Sequence, residues 1–355
     1  MRILFVSSFH PFAKGEIGAG EAICGNNLKR FIEGGYAVDV FVISPNRQRA
    51  NISIVEKCND YFTYSTSVFN VASSILSNAY NGALIAPWFF TRAQPRVVDH
   101  INSMIDNNKY DFIWLDFPSS LGFAALIDHN DIRYCAHDIV TQRMERSLIK
   151  RWLSNSIRKV EASLLNRLSK VSTLSDKDRV LIENMGFSGP VVVVELGAQP
   201  VGYVDDAVNI NNVIQEFSGK TNIVFFGNMQ RAENHWSLMW FILFVFSRLC
   251  LRNKSVNLWV LGICPRMTLR FISKFNKRVH VIGAVDDPSL AFERADLCVA
   301  PLLFGAGVKI KVIQMLDSKA CVMATPIGAE GVSQSDRLTI VEPKNFYHQL
   351  LNRLS

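Results

Sequence analysis

The sequence lacks the residue spacings that mark small metal-binding, redox and nucleic-acid-binding sites. Its 355 residues include seven scattered cysteines, and no two of them form a Cys-x-x-Cys pair. There is no zinc-ligand spacing, basic tail or RNA-binding aromatic motif, which argues against a nucleic-acid partner. Cys135, Cys298 and Cys321 stand in apolar surroundings, a pattern that favours reduced, buried thiols in a cytosolic protein.

Long apolar runs are missing as well. The longest, residues 238–246, is too short to span a bilayer and predicts a buried helix. The start, MRILFVSS, has one arginine before a short apolar run and no small-residue cleavage site. It therefore predicts a first buried strand rather than a signal peptide, and we expect a cytoplasmic protein.

Charge is sparse but unbalanced. Charged residues make up 19% of the chain and hydrophobic residues 49%, which is ample for sizeable cores. The net charge is +7 and the sequence pI is about 9.0. This balance suits an anionic partner, such as a sugar nucleotide, a lipid phosphate or the inner face of an anionic membrane.

Short apolar strands alternate with helical patterns in two successive series, which predicts an α/β protein with two doubly wound parallel sheets. The length also favours two domains. We place an N-terminal domain at 1–200, a C-terminal domain at 201–342 and a final helix at 343–355 that packs back on the N-terminal domain. The polar stretch 196–219 is predicted to be the linker. The predicted strands are 2–6, 38–43, 111–116, 132–137, 170–174, 190–195, 222–226, 257–261, 280–282, 297–301, 321–324 and 338–341.

The stretch 296–331 carries the strongest functional signal. It is typical of a buried strand, a turn with Gly305 and Gly307, a helix that starts near Gly307, a second strand and a second glycine loop. Lys309 and Lys311 fall near the start of that helix, where the helix dipole disfavours positive charge. A bound anion would remove the conflict, so the pattern predicts a phosphate site. The alternative is that both lysines are solvated surface charges.

A second candidate site lies at the carboxyl ends of the N-terminal strands. The loop after the first strand holds Gly15, Gly18 and Gly20, but it is too long for the dinucleotide fingerprint and has the wrong glycine order. His137 and Asp138 follow the fourth predicted strand and so face the ligand crevice of such a sheet. An imidazole there can donate to a sugar hydroxyl or carry a proton, although a lone histidine is often structural.

Two N-terminal segments are candidates for contact with an anionic membrane surface. Residues 83–96 are apolar and aromatic, and they form either ordinary core or an exposed amphipathic surface. Residues 143–159 are strongly basic, and they form either a solvated face or a docking surface for anionic lipid. In the membrane interpretation the first segment would place at the interface Trp88, Phe89, Phe90 and Arg92.

Two motifs of the C-terminal domain resemble a bacterial branch of the family-4 glycosyltransferases, which have the GT-B fold. One is FGAGVKIK at 304–311, followed by TPIGAEG at 325–331; the other is FGNM at 226–229, followed by Glu233-Asn234 and a Trp-rich helix. The N-terminal glycine loop and His137-Asp138 match the family by position. The resemblance covers most of the chain. It implies two Rossmann-like domains that face each other across a cleft.

The resemblance also implies an activity. It implies retaining transfer of a sugar from a UDP- or GDP-linked donor to a glycan or lipid-linked acceptor in cell-surface polysaccharide or lipopolysaccharide synthesis. No metal and no cofactor are implied, because helix N-termini and basic side chains neutralise the leaving diphosphate. The catalytic residues implied are His137, Arg231 and Lys309. The donor-binding residues implied are Gly18, Gly20, Gly227, Asn228, Gly305, Ala306, Gly307, Val308, Gln314 and Glu330.

The sequence departs from the family pattern at three places. Phe304 occupies the neighbourhood of the first of two glutamates that usually flank this glycine turn. Gln314 stands where the family usually has a glutamate that holds the nucleotide ribose; a glutamine still hydrogen-bonds hydroxyls, but without charge. Glu233-Asn234 replaces the lysine that usually accompanies the arginine, here Arg231. These departures motivate one alternative, a non-catalytic glycosyltransferase-like partner subunit. Another is a sugar-nucleotide epimerase, which would need carboxylates around the sugar.

Overall fold

The computed structural model describes residues 1–11, 19–45, 52–146, 151–194 and 207–354. The chain divides into two compact units, Met1–Leu196 and Gly197–Ser355. Each unit is built on its own parallel sheet with helices on both faces. The α/β class and the two doubly wound parallel sheets predicted from the alternating pattern are confirmed.

The N-terminal unit has a seven-stranded sheet within the described residues. Its strands are β1 (Arg2–Ser7), β2 (Ala37–Pro45), β3 (Asp60–Thr66), β4 (Phe112–Asp116), β5 (Ile132–Ala136), β6 (Lys170–Thr173) and β7 (Val191–Val193). They lie in the order β3-β2-β1-β4-β5-β6-β7, so the direction of the crossovers reverses between β1 and β4. The carboxyl ends of strands flanking such a reversal form the ligand crevice of doubly wound sheets.

The helices of this unit connect the strands and cover the sheet. They are α1 (Ala19–Glu33), α2 (Ile52–Val55), α3 (Val68–Ser77), α4 (Pro95–Asn107), α5 (Val140–Glu145), α6 (Ser154–Leu165) and α7 (Asp176–Asn184). Short 3-10 helices occupy Ala79–Asn81, Pro87–Phe89, Pro118–Ala125 and Arg151–Leu153. The strands β1 and β4 are buried along almost their whole length, as expected for central strands covered on both faces.

The sequence pattern does not predict strand β3. This strand pairs only with β2, at the edge of the sheet, and its side chains are exposed or half-buried. Its sequence is DYFTYST, and residues 61–91, which carry no charge, resemble an apolar helix by composition. The composition of this region therefore gives no indication of a strand.

The C-terminal unit has a six-stranded sheet among the residues described. Its strands are β8 (Thr221–Phe226), β9 (Val256–Leu261), β10 (Val279–Gly283), β11 (Leu297–Ala300), β12 (Val322–Ala324) and β13 (Leu338–Ile340). The order is β10-β9-β8-β11-β12-β13, and the crossovers reverse between β8 and β11. All of these strands fall where the sequence pattern predicts them.

Two helical layers cover this second sheet. The helices are α8 (Ile210–Gln215), α9 (Ala232–Trp240), α10 (Ser247–Arg252), α11 (Met267–Phe275), α12 (Ser289–Arg294), α13 (Ile310–Asp317) and α14 (Phe346–Leu354). A π-helical segment, Phe241–Phe246, joins α9 to α10, and a 3-10 turn at Pro343–Asn345 precedes α14. One core contains α9, α10, α11 and α14, and the other contains α8, α12 and α13. Right-handed crossovers explain the division, because strands added in opposite directions place their helices on opposite faces.

Helix α14 packs in the C-terminal unit, where Phe346 and Leu350 fill the core beside α10. A contact of this helix with the N-terminal domain stays a prediction. The expectation that 196–219 is only a linker was wrong, because this stretch contains helix α8: Ile210 and Val213 in α8, and Phe217 shortly after it, are buried in the opposite core. Their spacing of three and four residues is that of an amphipathic helix, a pattern hidden by the polar residues between them.

The helical segment Ala232–Arg252 is long and apolar enough to cross a membrane by length and composition, with mean hydropathy 1.2. Half of its most apolar window is buried inside the C-terminal unit. Leu238, Phe241 and Val245 belong to the core under the sheet. The segment is thus accounted for as a core helix, as the sequence predicts for residues 238–246.

Candidate functional site

The loops that follow β8 and β11 meet at the crossover reversal of the C-terminal sheet. Arg231 ends the first loop, Glu233 lies in the first turn of the following helix α9, and Gly305 belongs to the second loop. A Cβ atom built on Gly305 would lie 3.6 Å from the Cβ of Glu233, so the second loop contacts the start of α9. The Arg231 guanidinium lies 3.6 Å from the Glu233 carboxylate. The structure therefore brings Gly227, Asn228 and Arg231 next to the glycine turn that the sequence selects.

The turn between β11 and α13 requires its glycines. Gly305 has φ = 120° and Gly307 has φ = 78°, values that side chains with a Cβ rarely adopt. The α-helix begins only at Ile310, about one turn later than predicted, so residues 305–309 form an open loop. Lys309 is its N-cap residue and makes no side-chain capping bond.

The Lys309 ammonium is directed into this turn. Its Nζ donates to the carbonyl oxygens of Ala306, at 3.0 Å, and Gly307, and lies 3.6 Å from the Glu330 carboxylate. The Lys309 N–H also donates to the Glu330 carbonyl oxygen at 3.1 Å. Both side chains are less than one-tenth exposed. Lys309 thus ties the glycine turn to the loop at 325–331.

The Lys311 side chain reaches the start of α9, which follows the loop after β8. Its Nζ donates to Asn234 Oδ1 at 2.8 Å and lies 4.6 Å from the centre of the Phe225 ring. Asn234 in turn donates to the Asn228 carbonyl oxygen at 2.8 Å. Burial, and next the neighbouring Lys309 ammonium, lower the pKa of Lys311 to about 7, with a smaller contribution from Arg231. Glu233 opposes this shift. Lys309, Lys311 and Arg231 thus share a small region with two carboxylates, Glu233 and Glu330, and the excess of positive charge favours an anion there.

The remaining predicted donor residues lie on the same elements. Val308 packs against Gly331, where an added Cβ would come within 2.6 Å of Val308 Cγ2. Gln314 is half-buried in the second turn of α13. Asn228 turns its side chain back on its own loop, because its Oδ1 accepts from the Gln230 N–H at 2.8 Å.

Gly328 packs directly against the backbone at the end of β11, and its replacement should therefore destabilise the protein. A Cβ at Gly328 would lie 2.0 Å from the carbonyl oxygen of Ala300, the last residue of β11. We expect Gly328→Ala to lower the free energy of unfolding by about 2–4 kcal/mol, as overpacking against fixed backbone does. Urea denaturation followed by circular dichroism measures this loss.

Gly35→Ala is the matched control. Gly35 has φ = 78° but open space around its Cβ position, so its replacement introduces backbone strain without a clash. That strain costs about 1–2 kcal/mol. Equal losses for the two variants would contradict the contact at Ala300.

The N-terminal unit holds a second polar cluster at its own crossover reversal. Parallel pairing aligns Ser7, Asp116 and Cys135 in one row at the carboxyl ends of β1, β4 and β5. His137 follows directly, and its Nε2 lies 2.9 Å from Asp116 Oδ1. The other carboxylate oxygen accepts from Asn27 Nδ2 at 2.9 Å and from Trp114 Nε1 at 3.0 Å.

The electrostatics of this pair favour a charged imidazole. Burial opposes the charge on His137, but the adjacent Asp116 carboxylate, with a smaller contribution from the Cys135 side chain, outweighs it and raises the pKa of His137 to about 10. His137 Nδ1 is buried and has no hydrogen-bond partner among the described residues. Because Asp116 occupies Nε2, a protonated ring offers an N–H at Nδ1 for one further acceptor.

Aromatic rings pack around His137. Phe117, the residue after β4, adopts φ = 80° although it is not glycine. Its ring lies 5.1 Å from the His137 ring and 4.6 Å from Phe9. A Cβ at Gly20 would come within 3.2 Å of the Phe117 ring, so Gly20 lies beside this cluster at the start of α1. Gly18 lies outside the described residues.

Sequence reasoning missed Asp116 and the direction of Lys311. Asp116 is the last residue of the otherwise apolar strand β4, FIWLD, at the edge of the crevice. A carboxylate in that position indicates a functional residue. The two lysines near the predicted helix start indicated an anion site. Which of the two side chains faces the loop after β8 could not be predicted, because it depends on the residue at which α13 begins.

Of the two interpretations left open for the aromatic segment 83–96, the core interpretation holds for its two phenylalanines. Phe89 and Phe90 are fully buried with Ala83, Ala86 and Ala93, so placing these two rings at a membrane interface was wrong. Leu84 and Ile85 of the same segment are exposed. In the basic segment 143–159, Arg143 pairs with Asp138 at 2.9 Å, and residues 147–150 lie outside the described part of the chain.

Comparison with known families decides the class of the C-terminal unit. Residues 220–355 match the model of the family described as glycosyl transferases group 1. The C-terminal unit matches the group 1 glycosyltransferase family over most of its length. The matched range includes both loops of the site, from Gly227 to Glu330. No curated protein is similar enough in sequence to this chain to be matched.

Solved structures similar to the whole chain have the GT-B fold that the glycosyltransferase domain indicates. Sucrose-phosphate synthase from Thermosynechococcus elongatus is 14% identical, with a TM-score of 0.67, over 99% of this chain and 88% of its own. HepE from Anabaena, in complex with UDP, is 14% identical, with a TM-score of 0.62, over 99% and 89%. WaaG, a glycosyltransferase involved in lipopolysaccharide biosynthesis, is 12% identical, with a TM-score of 0.63, over 99% and 90%. At such identities the similarity shows the fold.

Proposed function

We propose that this chain is a retaining glycosyltransferase that transfers a sugar from a UDP- or GDP-linked donor to a glycan or lipid-linked acceptor. The observation that carries the proposal is the convergence of Arg231, Lys311 and the Gly305–Gly307 turn at the crossover reversal of a group 1 glycosyltransferase domain. A nucleotide diphosphate is the anion that these cations and the start of α13 would hold. HepE, of the same fold, binds UDP.

The chemistry follows from where negative charge develops. When the bond between the sugar and the diphosphate breaks, the leaving oxygen gains charge. Arg231 and Lys311 stabilise that charge by ion pairing, and the backbone N–H groups at the start of α13 add to it. Lys309 holds the turn in place through Ala306, Gly307 and Glu330. The transfer needs no metal in this proposal.

His137 has a separate role in the N-terminal unit. Its free Nδ1, protonated through the effect of Asp116, would donate a hydrogen bond to a sugar hydroxyl. Gly18 and Gly20 are assigned to donor binding, and Gly20 lies against the Phe117 ring beside His137. Gln314 and Glu330 are assigned to the hydroxyls of the nucleotide sugar.

We place the reaction in bacterial cell-surface polysaccharide or lipopolysaccharide synthesis, on the cytoplasmic side of the cell membrane. The similarity in fold to WaaG and the net charge of +7 support this placement. A lipid-linked acceptor would hold the protein at the membrane as a peripheral enzyme.

A donor panel tests the proposal. The purified protein is titrated with UDP and GDP by calorimetry, and hydrolysis or transfer is followed with a set of UDP- and GDP-sugars. We expect one nucleotide to bind at micromolar concentrations, and the product anomer, assigned by NMR, to retain the donor configuration. Binding of neither nucleotide would contradict the proposal. Binding without turnover on any donor or acceptor would favour the non-catalytic partner subunit.

A further inference from the structure

The helical layer that covers one face of the C-terminal sheet has an apolar outer surface. We call it the α9–α11 face; its exposed apolar residues are Trp236, Leu243, Phe244, Leu251, Met267, Phe271 and Phe275. Leu251 and Met267 are more than 80% exposed, and Phe275 is 76% exposed. Contiguous apolar patches of this kind are rare on protein surfaces unless something covers them.

The two helices form one continuous surface. The crossovers β8–β9 and β9–β10 run in the same direction, so α9, α10 and α11 lie on the same face of the sheet. His235 Nε2 on α9 lies 3.1 Å from Thr268 Oγ1 on α11. Phe271 and Phe275 stand one turn apart on α11, with ring centroids 4.6 Å apart.

The charge around this face has one sign. Residues 235–285 contain eight lysines and arginines and no aspartate or glutamate, and α14, on the same layer, has no acidic residue either. Arg270 and Lys274 alternate with the exposed aromatic residues on α11 itself. The exposed cations of the segment are Arg248, Arg252, Lys254, Arg270, Lys274 and Lys277.

We propose that the α9–α11 face docks on an anionic lipid bilayer. Apolar side chains flanked by lysine and arginine, without acidic residues, are what the boundary of headgroups and acyl chains of an anionic membrane attracts. The inner side of α9–α10 is held in the protein core, so the helices lie on the membrane and do not cross it. This docking surface lies in the C-terminal unit, it is separate from the segments 83–96 and 143–159, and it does not depend on the transferase activity.

Vesicle sedimentation tests the docking. The full-length protein is mixed with vesicles of phosphatidylcholine alone or with an equal share of phosphatidylglycerol, in 50 mM and in 500 mM NaCl. We expect binding to the anionic vesicles that weakens at high salt. The double variant Phe271→Ser/Phe275→Ser is expected to lower the partition coefficient about tenfold or more at both salt concentrations. Arg270→Gln/Lys274→Gln is expected to lower it about tenfold at low salt only.

A matched variant on the other unit controls for general loss of apolar surface. Phe69 and Leu76 on α3 are 81% and 70% exposed, so Phe69→Ser/Leu76→Ser removes a similar area and should leave binding unchanged. The proposal is overturned if this control abolishes binding while Phe271→Ser/Phe275→Ser binds normally. It is also overturned if light scattering shows a dimer that only the α11 variant dissociates. Thermal melting and nucleotide affinity, which should match wild type, separate this result from failure of the donor site.

Discussion

Lys311→Met is expected to weaken nucleotide binding about tenfold to a hundredfold at pH 6.5. The magnitude is that of losing one charge-assisted hydrogen bond to a phosphate. The Lys311 ammonium links α13 to the start of α9 through its hydrogen bond to Asn234. Arg231 is the residue that precedes α9. Calorimetric titration with the nucleotide that the wild-type protein binds measures the loss directly.

The pH dependence gives a sharper form of the same prediction. Because the pKa of Lys311 is lowered to about 7, the free protein carries this charge only partly at neutral pH. A bound diphosphate raises that pKa, so binding takes up a proton and affinity falls as the pH rises above 7. In Lys311→Arg, whose guanidinium stays charged, the fall should disappear. Calorimetry in buffers of different ionisation enthalpy counts the proton.

Two controls separate ligand binding from support of the turn. Lys344→Met removes an exposed lysine from the same unit and should change neither affinity nor its pH profile. Lys309→Met should lower stability, because the Ala306 and Gly307 carbonyls and the buried Glu330 lose their partner. If Lys311→Met binds nucleotide with the wild-type pH profile, Lys311 is not a phosphate ligand.

His137→Gln is expected to lower kcat/KM for sugar transfer about a hundredfold or more, the scale of a positioned charged donor in an active site. The glutamine is close in size and can still reach Asp116, so the loss reports the missing charged N–H at Nδ1. Since that donor stabilises the reaction, we expect the change mainly in kcat. Steady-state kinetics on the donor found in the panel, with thermal melting to check the fold, provide the measurement.

Asp116→Asn tests why the imidazole is charged. In the wild-type protein the pKa of His137 is raised to about 10, so the pair contributes stability fully below pH 6.5, and this contribution is lost as the pH rises through 10. Without the carboxylate, the largest raising influence is gone, and burial, opposed only by the Cys135 side chain, brings the pKa of His137 down from its wild-type value. The activity of Asp116→Asn should then fall as the pH rises through the neutral range, where the wild-type activity is flat with respect to this group. A wild-type profile in Asp116→Asn, with the ring titrating near pH 10 by NMR, would contradict the assignment.

The fold could be predicted from sequence wherever a strand is buried on both faces. Such strands, for example β9 with the sequence VNLWVL, are short apolar runs bounded by polar loops. The edge strand β3 and helix α8 were not predicted, because half-exposed elements mix polar and apolar residues and lack a continuous apolar run. Phe89 and Phe90 were open to both interpretations, since composition does not reveal which side of an apolar segment faces the core.

The candidate site was predictable in outline only. The glycine turn, Arg231 and His137 stand at strand ends, and strand ends at a crossover reversal mark the crevice. The assignment of each lysine was not predictable, because α13 begins at Ile310 and this start fixes which ammonium turns inward. Asp116 required the parallel register of β4 and β5, which brings residues 21 positions apart within hydrogen-bond distance.

The bond between Lys311 and Asn234 joins two segments that are 77 positions apart in the chain. A natural or laboratory recombination event with its breakpoint between them would unite an asparagine from one parent with whatever the other parent carries at the start of α13. An apolar residue at that position would leave the Asn234 side chain without this partner, and the reciprocal chimaera, with an apolar residue in place of Asn234, would leave the Lys311 ammonium without this hydrogen bond in a desolvated place. Chimaeras of this protein should therefore inherit residues 227–311 as one block.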